Sequence, residues 1–482
     1  MSRHRRRVDY CVLTRDECAA IHAASLEMLE RTGCRVEDAE ALNLLGEAGC
    51  RVEGDRVRIP GPLVQQALDS APRQILLYDR SGQPAMTLEI PNTYYGTGSD
   101  CPFTVDLESG ERRKSGKSDV ANFARLVDGL PHMDFAMSMG IPSSRDERAV
   151  FAHEFDAMVR NTTKPIVFTA HGIEDMRCIY DMAVSVKGSA ETLEREPFLL
   201  LYSEPIPPQV HSVMGLQKLI FCARHGVPVT YPTGAMAGAT APATMAGGIA
   251  LGNAETLVGL VIHQLACGGA PYVYGGNTSI MDMPTGTFTY AAPEFHLAFS
   301  AYADLGRFYG LPVWGLAGAS DAKTVDAQAG LELGYQMLMA ELSGVQLIHD
   351  VGYLDSGLCS SAEMVCLGNE MVGLARRVSR GIEINADTLA LDVVDDVGPG
   401  GNFLETRHTV DHYRKEFWFP RMLFRGGIDE WRRQGSRDMR ARLNRQARDI
   451  LAQHKPEALP PEVDAELKRI LDKREQSAKE MC

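Results

Sequence analysis

None of the 11 cysteines forms a C-x-x-C pair, which argues against zinc-ribbon and thioredoxin-type chemistry. No G-x-G-x-x-G follows any apolar run, so the fingerprint of a dinucleotide-binding sheet is missing. A basic excess is missing as well: 49 Lys and Arg stand against 63 Asp and Glu, for a formal charge of −14. That field repels nucleic acid and anionic membranes, and it modestly favours cationic ligands, although acidity of this size is also what solubility alone selects. The first seven residues carry four arginines with no apolar stretch behind them, unlike a secretory signal. The longest weakly polar stretch, 234–269, is interrupted by Asn253, Glu255 and His263 and predicts a buried helix rather than a membrane span. The expectation is a cytoplasmic protein with reduced core cysteines, contacting neither nucleic acid nor membrane.

What is present is a large core-forming fraction, 45% hydrophobic and 23% charged, typical of a globular chain. Short apolar strands recur at 135–140, 165–171, 197–204, 228–234, 271–277, 312–318, 345–350 and 381–385, several opened by proline and closed by small or polar residues. Amphipathic or buried helices fit between them, for example at 147–160, 174–186 and 212–225. Strands that are apolar throughout are covered on both faces, as in a parallel sheet. Eight such units predict an α/β fold, a (β/α)8 TIM barrel. The expected organisation is an N-terminal α+β extension over 1–133, the barrel over 134–385, and a C-terminal helical extension over 386–482. In the first part, 92–100 reads as a polar, glycine-bearing loop and 103–114 as a hairpin.

In a barrel the chemistry collects at the C-terminal ends of the strands. That rule selects His171, Tyr202, Ser203, Glu204, Tyr231, Thr233, Tyr274, Asn277, Trp314, His349, Asp350 and Asn385. Strand side chains alternate, so His349 and Asp350 cannot both point squarely inward. Aromatic residues are frequent here: Tyr202, Tyr231, Tyr274 and Trp314 on four strands, Tyr94 and Tyr95 on the preceding loop, and Tyr353 just past the seventh strand. Aromatic faces with a few carboxylates, here Asp100, Glu204 and Asp350, suit a quaternary ammonium, which cannot be hydrogen-bonded. The same tyrosines fit plain core packing equally well. His408, His412 and Glu416 share one helix face, but in an order unlike H-E-x-x-H, and read as a structural or solvated face. His349-Asp-Val-Gly352 holds only half of the corrinoid-ligating D-x-H-x-x-G, because position 347 is leucine.

Four strings are long and unusual: 95–100 (YGTGSD), 315–323 (GLAGASDAK) with 326–330 (DAQAG), 349–353 (HDVGY), and 398–404 (GPGGNFL) with His408 and Thr409. On these the chain resembles the trimethylamine methyltransferase superfamily, in its branch without pyrrolysine. The resemblance implies methyl transfer from a methylated amine to the Co(I) of a separate corrinoid protein, with no cofactor or metal bound by this chain's own motifs. A homo-oligomer is expected. Where the trimethylamine enzymes carry pyrrolysine, this chain has Ala319 or a neighbour, so the implied substrate is a quaternary amine such as glycine betaine. Under that resemblance Asp100 and His349 are expected to orient the substrate, His349 toward a betaine carboxylate. Tyr94, Tyr95, Tyr231 and Trp314 are expected to surround the ammonium, with Asn277, Glu204, Asp350 and Tyr353 as further contacts. Two other classes fit the residues: a metal-dependent barrel enzyme, and an amine-binding protein without turnover.

Overall fold

The computed structural model describes residues 8–480; the arginine-rich start at 1–7, read as unlike a secretory signal, lies outside them. Seven parallel strands form one sheet in the spatial order Tyr94–Thr97, Leu347–Val351, Val313–Leu316, Tyr272–Gly275, Val229–Thr230, Leu199–Tyr202, Ile166–Phe168. Its two edges are joined through a further stave, in which Phe135 bridges Gly96 and Ala136 bridges Ile166, both in parallel. The ring of eight is therefore closed, and helices cover its outside, as the periodicity predicts.

Two expectations at the ends of the ring are corrected. The first stave is Tyr94–Thr97, inside the stretch read as a loop. Its glycines disguise it: a Cβ on Gly96 would lie 2.2 Å from the Phe135 ring, so this strand closes on its neighbour only without a side chain. The strand expected at 381–385 does not form. With the ring already closed there is no free edge to join, and Ile382 and Ile384 stay 79% and 77% exposed. Asn385 instead caps the short helix Ala386–Leu389, accepting from the Thr388 N–H.

The hairpin Ile75–Tyr78 and Pro84–Leu88 plugs the N-terminal end of the barrel. Ile75, Leu77, Met86 and Leu88 join Phe135, Val167, Leu200, Val273, Trp314 and Leu347 in one apolar cluster inside the ring. The apolar stretch around residue 250 becomes the helix Met245–Ala266, long and apolar enough to cross a membrane but 78% buried among neighbouring helices over its most apolar window. The N-terminal helix Arg15–Glu27, started by a Thr14–Glu17 capping box, is tied to it: Ser25 Oγ donates to Ala250 O at 2.8 Å and accepts from Asn253 Nδ2 at 2.9 Å. The helix Arg407–Glu416 carries the two histidines with rings 4.2 Å apart, but Glu416 turns to Arg377 and Arg380 instead of joining them.

Candidate active site at the barrel mouth

Alternation along the staves divides the aromatic residues. Trp314 pairs with Leu347, and Leu347 with Tyr94, all on the inner face. Tyr95, Tyr231 and Tyr274 have the opposite parity and face the helices. Tyr95 Oη donates to Glu341 at 2.8 Å, Tyr231 Oη stands 3.3 Å from His211 Nδ1, and Tyr274 Oη donates to Asn253 at 2.7 Å. The expectation that Tyr95 and Tyr231 surround a ligand in the mouth is thereby corrected. Tyr94 is on the inner face but at the start of its stave, where its hydroxyl accepts from the Thr87 N–H of the plugging hairpin at 3.0 Å. It belongs to the floor, not the mouth.

Three rings meet above that floor, Trp314 rising from it toward the mouth. Trp314 and His349 stack with centroids 4.4 Å apart, and Tyr202 lies 5.3 Å from the first and 5.5 Å from the second. Tyr202 donates its hydroxyl proton to Glu204. Glu204 is reached by solvent although protein surrounds it, as befits a side chain lining a recess, and burial pushes its carboxyl above the ordinary range. The charges of His349, Asp350 and Asp100 all act on it. Asn277, at the mouth end of its stave, presents a buried Oδ1 with no hydrogen-bond partner among the described residues.

His349 and Asp350 both reach the site because the strand breaks its alternation here. Register shifts between Ile348 and Val351, and Asp350 has φ 74°, a bulge that re-aims side chains. His349 Nδ1 lies 2.7 Å from Asp350 Oδ1 but off the ring's N–H axis, so both ring nitrogens are without a hydrogen bond among the described residues. Asp100 and Met139 also have positive φ, 58° and 57°. Three staves thus end in sparsely populated backbone at the same rim, a feature that concentrates at functional sites.

Two of the four unusual strings interlock at that rim. Tyr353 donates its hydroxyl proton to Ser99 O, and a Cβ on Gly98 would come within 2.1 Å of the Tyr353 ring, so glycine is required there. The 315–323 string acts from the side. Asp321 accepts from the Tyr290 and Ala291 N–H groups, each at 3.0 Å, and from Ser356 Oγ at 2.8 Å. This holds Tyr290, on the connection leading into the helix Pro293–Tyr309, where Asp350 and Glu204 act on its hydroxyl.

Sequence reasoning missed Tyr290 and two buried ionisable groups. Glu154, on the helix Val150–Asn161, is buried beside Asp100, and its Oε1 has no hydrogen-bond partner among the described residues. Burial pushes both carboxyls up, Glu154 further because of the charge of Asp100. Thr169 Oγ1 donates to Asp100 Oδ1 at 3.2 Å, and the Asp100 N–H donates to Ser138 Oγ at 3.1 Å. Lys218 donates to Ala170 O at 2.5 Å beneath the same rim, and burial brings its ammonium down to about 8. The available signal was an acid or base on the buried face of an otherwise apolar helix. A groove of about 640 Å³ lined by Leu130, Arg421, Arg442 and His454 holds none of these groups.

A closed (β/α)8 barrel with an aromatic trio and buried carboxyls at its strand ends is, as a class, a barrel enzyme acting at its C-terminal face. The family description "Trimethylamine methyltransferase (MTTB)" matches residues 2–479. Similar proteins include the glycine betaine methyltransferase of Desulfitobacterium hafniense (strain Y51), 31% identical over 96% of this chain and 97% of that one. The trimethylamine methyltransferase MttB of Methanosarcina barkeri (strain Fusaro) is 31% identical over 98% and 97%. The chain belongs to the trimethylamine methyltransferase family and is a methyltransferase. Among solved structures, the monomethylamine methyltransferase MtmB of Methanosarcina barkeri shares the fold, with a TM-score of 0.53 at 10% identity over 92% of this chain and 88% of that one.

Proposed function

We propose that this chain moves a methyl group from a quaternary amine, glycine betaine or a close analogue, to the Co(I) of a separate corrinoid protein docked at the barrel mouth. The observation that carries this reading is the convergence of Tyr202, Trp314 and His349, with Glu204 accepting from Tyr202 and Asp350 beside His349. Aromatic faces attract a cation that offers no hydrogen-bond donor, worth about 0.5–2 kcal/mol per ring. His349, whose Nε2 has no hydrogen-bond partner among the described residues, is available to a substrate carboxylate, and Asn277 Oδ1 is available to water.

The reaction needs no general acid. The Co(I) electron pair forms the Co–C bond, the C–N pair returns to nitrogen, and a neutral tertiary amine leaves. Positive charge is lost from the amine in the transition state, so a site that over-stabilised the cation would slow the step. Carboxyls whose burial favours the neutral form supply a restrained field of this kind. The residues' task is to hold one N-methyl group in line and exclude water. In this reading the chain works in the cytoplasm as a homo-oligomer.

Calorimetric titration tests the pocket. Glycine betaine binds the wild type, Trp314→Ala weakens it about tenfold, and dimethylglycine, which keeps an N–H, binds more weakly. Equal affinity for both amines, or no effect of Trp314→Ala in a protein that remains folded, rejects the quaternary-amine pocket.

A further inference from the structure

Past the barrel the chain changes character. From Arg380 to Arg442 no residue is buried, although the segment contains the ordered helices Leu391–Val397 and Arg407–Glu416. Between 382 and 428 eleven large apolar side chains are 45% or more exposed, among them Ile382, Ile384, Leu391, Leu404, Phe417 and Phe419. A stretch that only half-buries a few side chains, such as Trp418 and Met422, has little to offset the entropy of ordering it. Side chains of this kind, each exposing about half or more of roughly 150–200 Å², together offer on the order of 1,000 Å². A stable interface buries about 800 Å² per partner.

The charge pattern identifies the partner. From 381 to 405 the charged residues are all acidic: Glu383, Asp387, Asp392, Asp395, Asp396 and Glu405. From 407 to 425 they are mainly basic: Arg407, Arg414, Lys415, Arg421 and Arg425 against Asp411 and Glu416. Within one chain the two halves meet at only a few points, such as His412 Nε2 to Asp387 at 3.4 Å. A surface that is acidic on one half and basic on the other complements itself when rotated by 180°, the requirement of a two-fold interface.

We infer that residues 382–428 form the docking arm for a second copy of this chain, the acidic half of each arm lying on the basic half of the other. The arm leaves the helix Ala362–Ser379 at its C-terminal end, where Arg376 donates to Thr93 O beside the start of the first stave, on the barrel face opposite the strand ends. This inference is independent of the catalytic reading.

Light scattering on the full chain gives a mass at least twice that of the protomer, and Ile384→Glu with Leu404→Glu halves it. Both positions are more than three-quarters exposed in the protomer, so the circular dichroism spectrum stays unchanged. Asp395→Lys with Asp396→Lys, and separately Arg414→Glu with Lys415→Glu, each weaken association at least tenfold, and mixing the two variants restores it through the heterodimer. A monomeric wild type, an assembly indifferent to I384E/L404E, or a mixture no tighter than its components overturns the proposal. So does a monomer that uses these residues to bind the corrinoid protein instead.

Discussion

Glu204 is the side chain through which pH acts most directly on the mouth. Burial raises its carboxyl, and the Tyr202 hydroxyl and the His349 charge pull it back. An ammonium binds the ionised form, so its affinity is low where Glu204 is protonated and rises as pH climbs from the ordinary carboxylate range through the raised one. The expected result is a KM for the amine that falls with pH over this window, with Glu204→Gln raising KM and flattening the dependence. A KM in the wild type that rises over the window contradicts the assignment. The tyrosines separate by direction. Tyr202→Phe loses activity, whereas Tyr231→Phe, which alters only the helix layer near His211, leaves kcat/KM within about twofold. Residue types at strand ends were legible in the sequence, and so were Trp314, His349, Glu204 and Asp100. Facing was not, because parity depends on where each stave begins and on the bulge at Asp350, which no local pattern marks.

At the scale of elements, the first stave governs both barrel closure and the placement of Asp100. Gly96 has no room for a methyl group against Phe135. Gly96→Ala is expected to cost about 1–3 kcal/mol, seen as a lowered denaturation midpoint, and Phe135→Leu in the same chain recovers part of the loss. A double variant no more stable than Gly96→Ala would show that the clash is not the cause. This stave was illegible because Tyr-Tyr-Gly-Thr-Gly has the composition of a turn, and its pairing partners lie about 40 and 250 residues away. The 381–385 stretch failed in the other direction. Its alternating isoleucines look like a strand, but pattern alone does not show that the ring is already full. Helices were easier: 147–160 and 212–225 became Val150–Asn161 and Val213–Arg224, because helical periodicity is local.

For the whole molecule, the closed barrel, the plugged floor and the outward arm divide the labour. The floor is sealed by the Ile75–Tyr78 and Pro84–Leu88 hairpin, the mouth collects groups from six staves and from the Tyr290 connection, and the unusual strings at 95–100, 315–323 and 349–353 all lie at that mouth. The central claim is methyl transfer from a quaternary amine at this mouth. Its most direct test is the absorbance of cob(I)alamin, free or on the cognate corrinoid protein, after adding enzyme with glycine betaine or a related quaternary amine. Expected are conversion to methylcobalamin, no conversion with tertiary amines, and a loss of about a hundredfold or more in Trp314→Ala and His349→Ala proteins that remain folded. Conversion with trimethylamine but no quaternary amine, or undiminished rates in both variants, would contradict it.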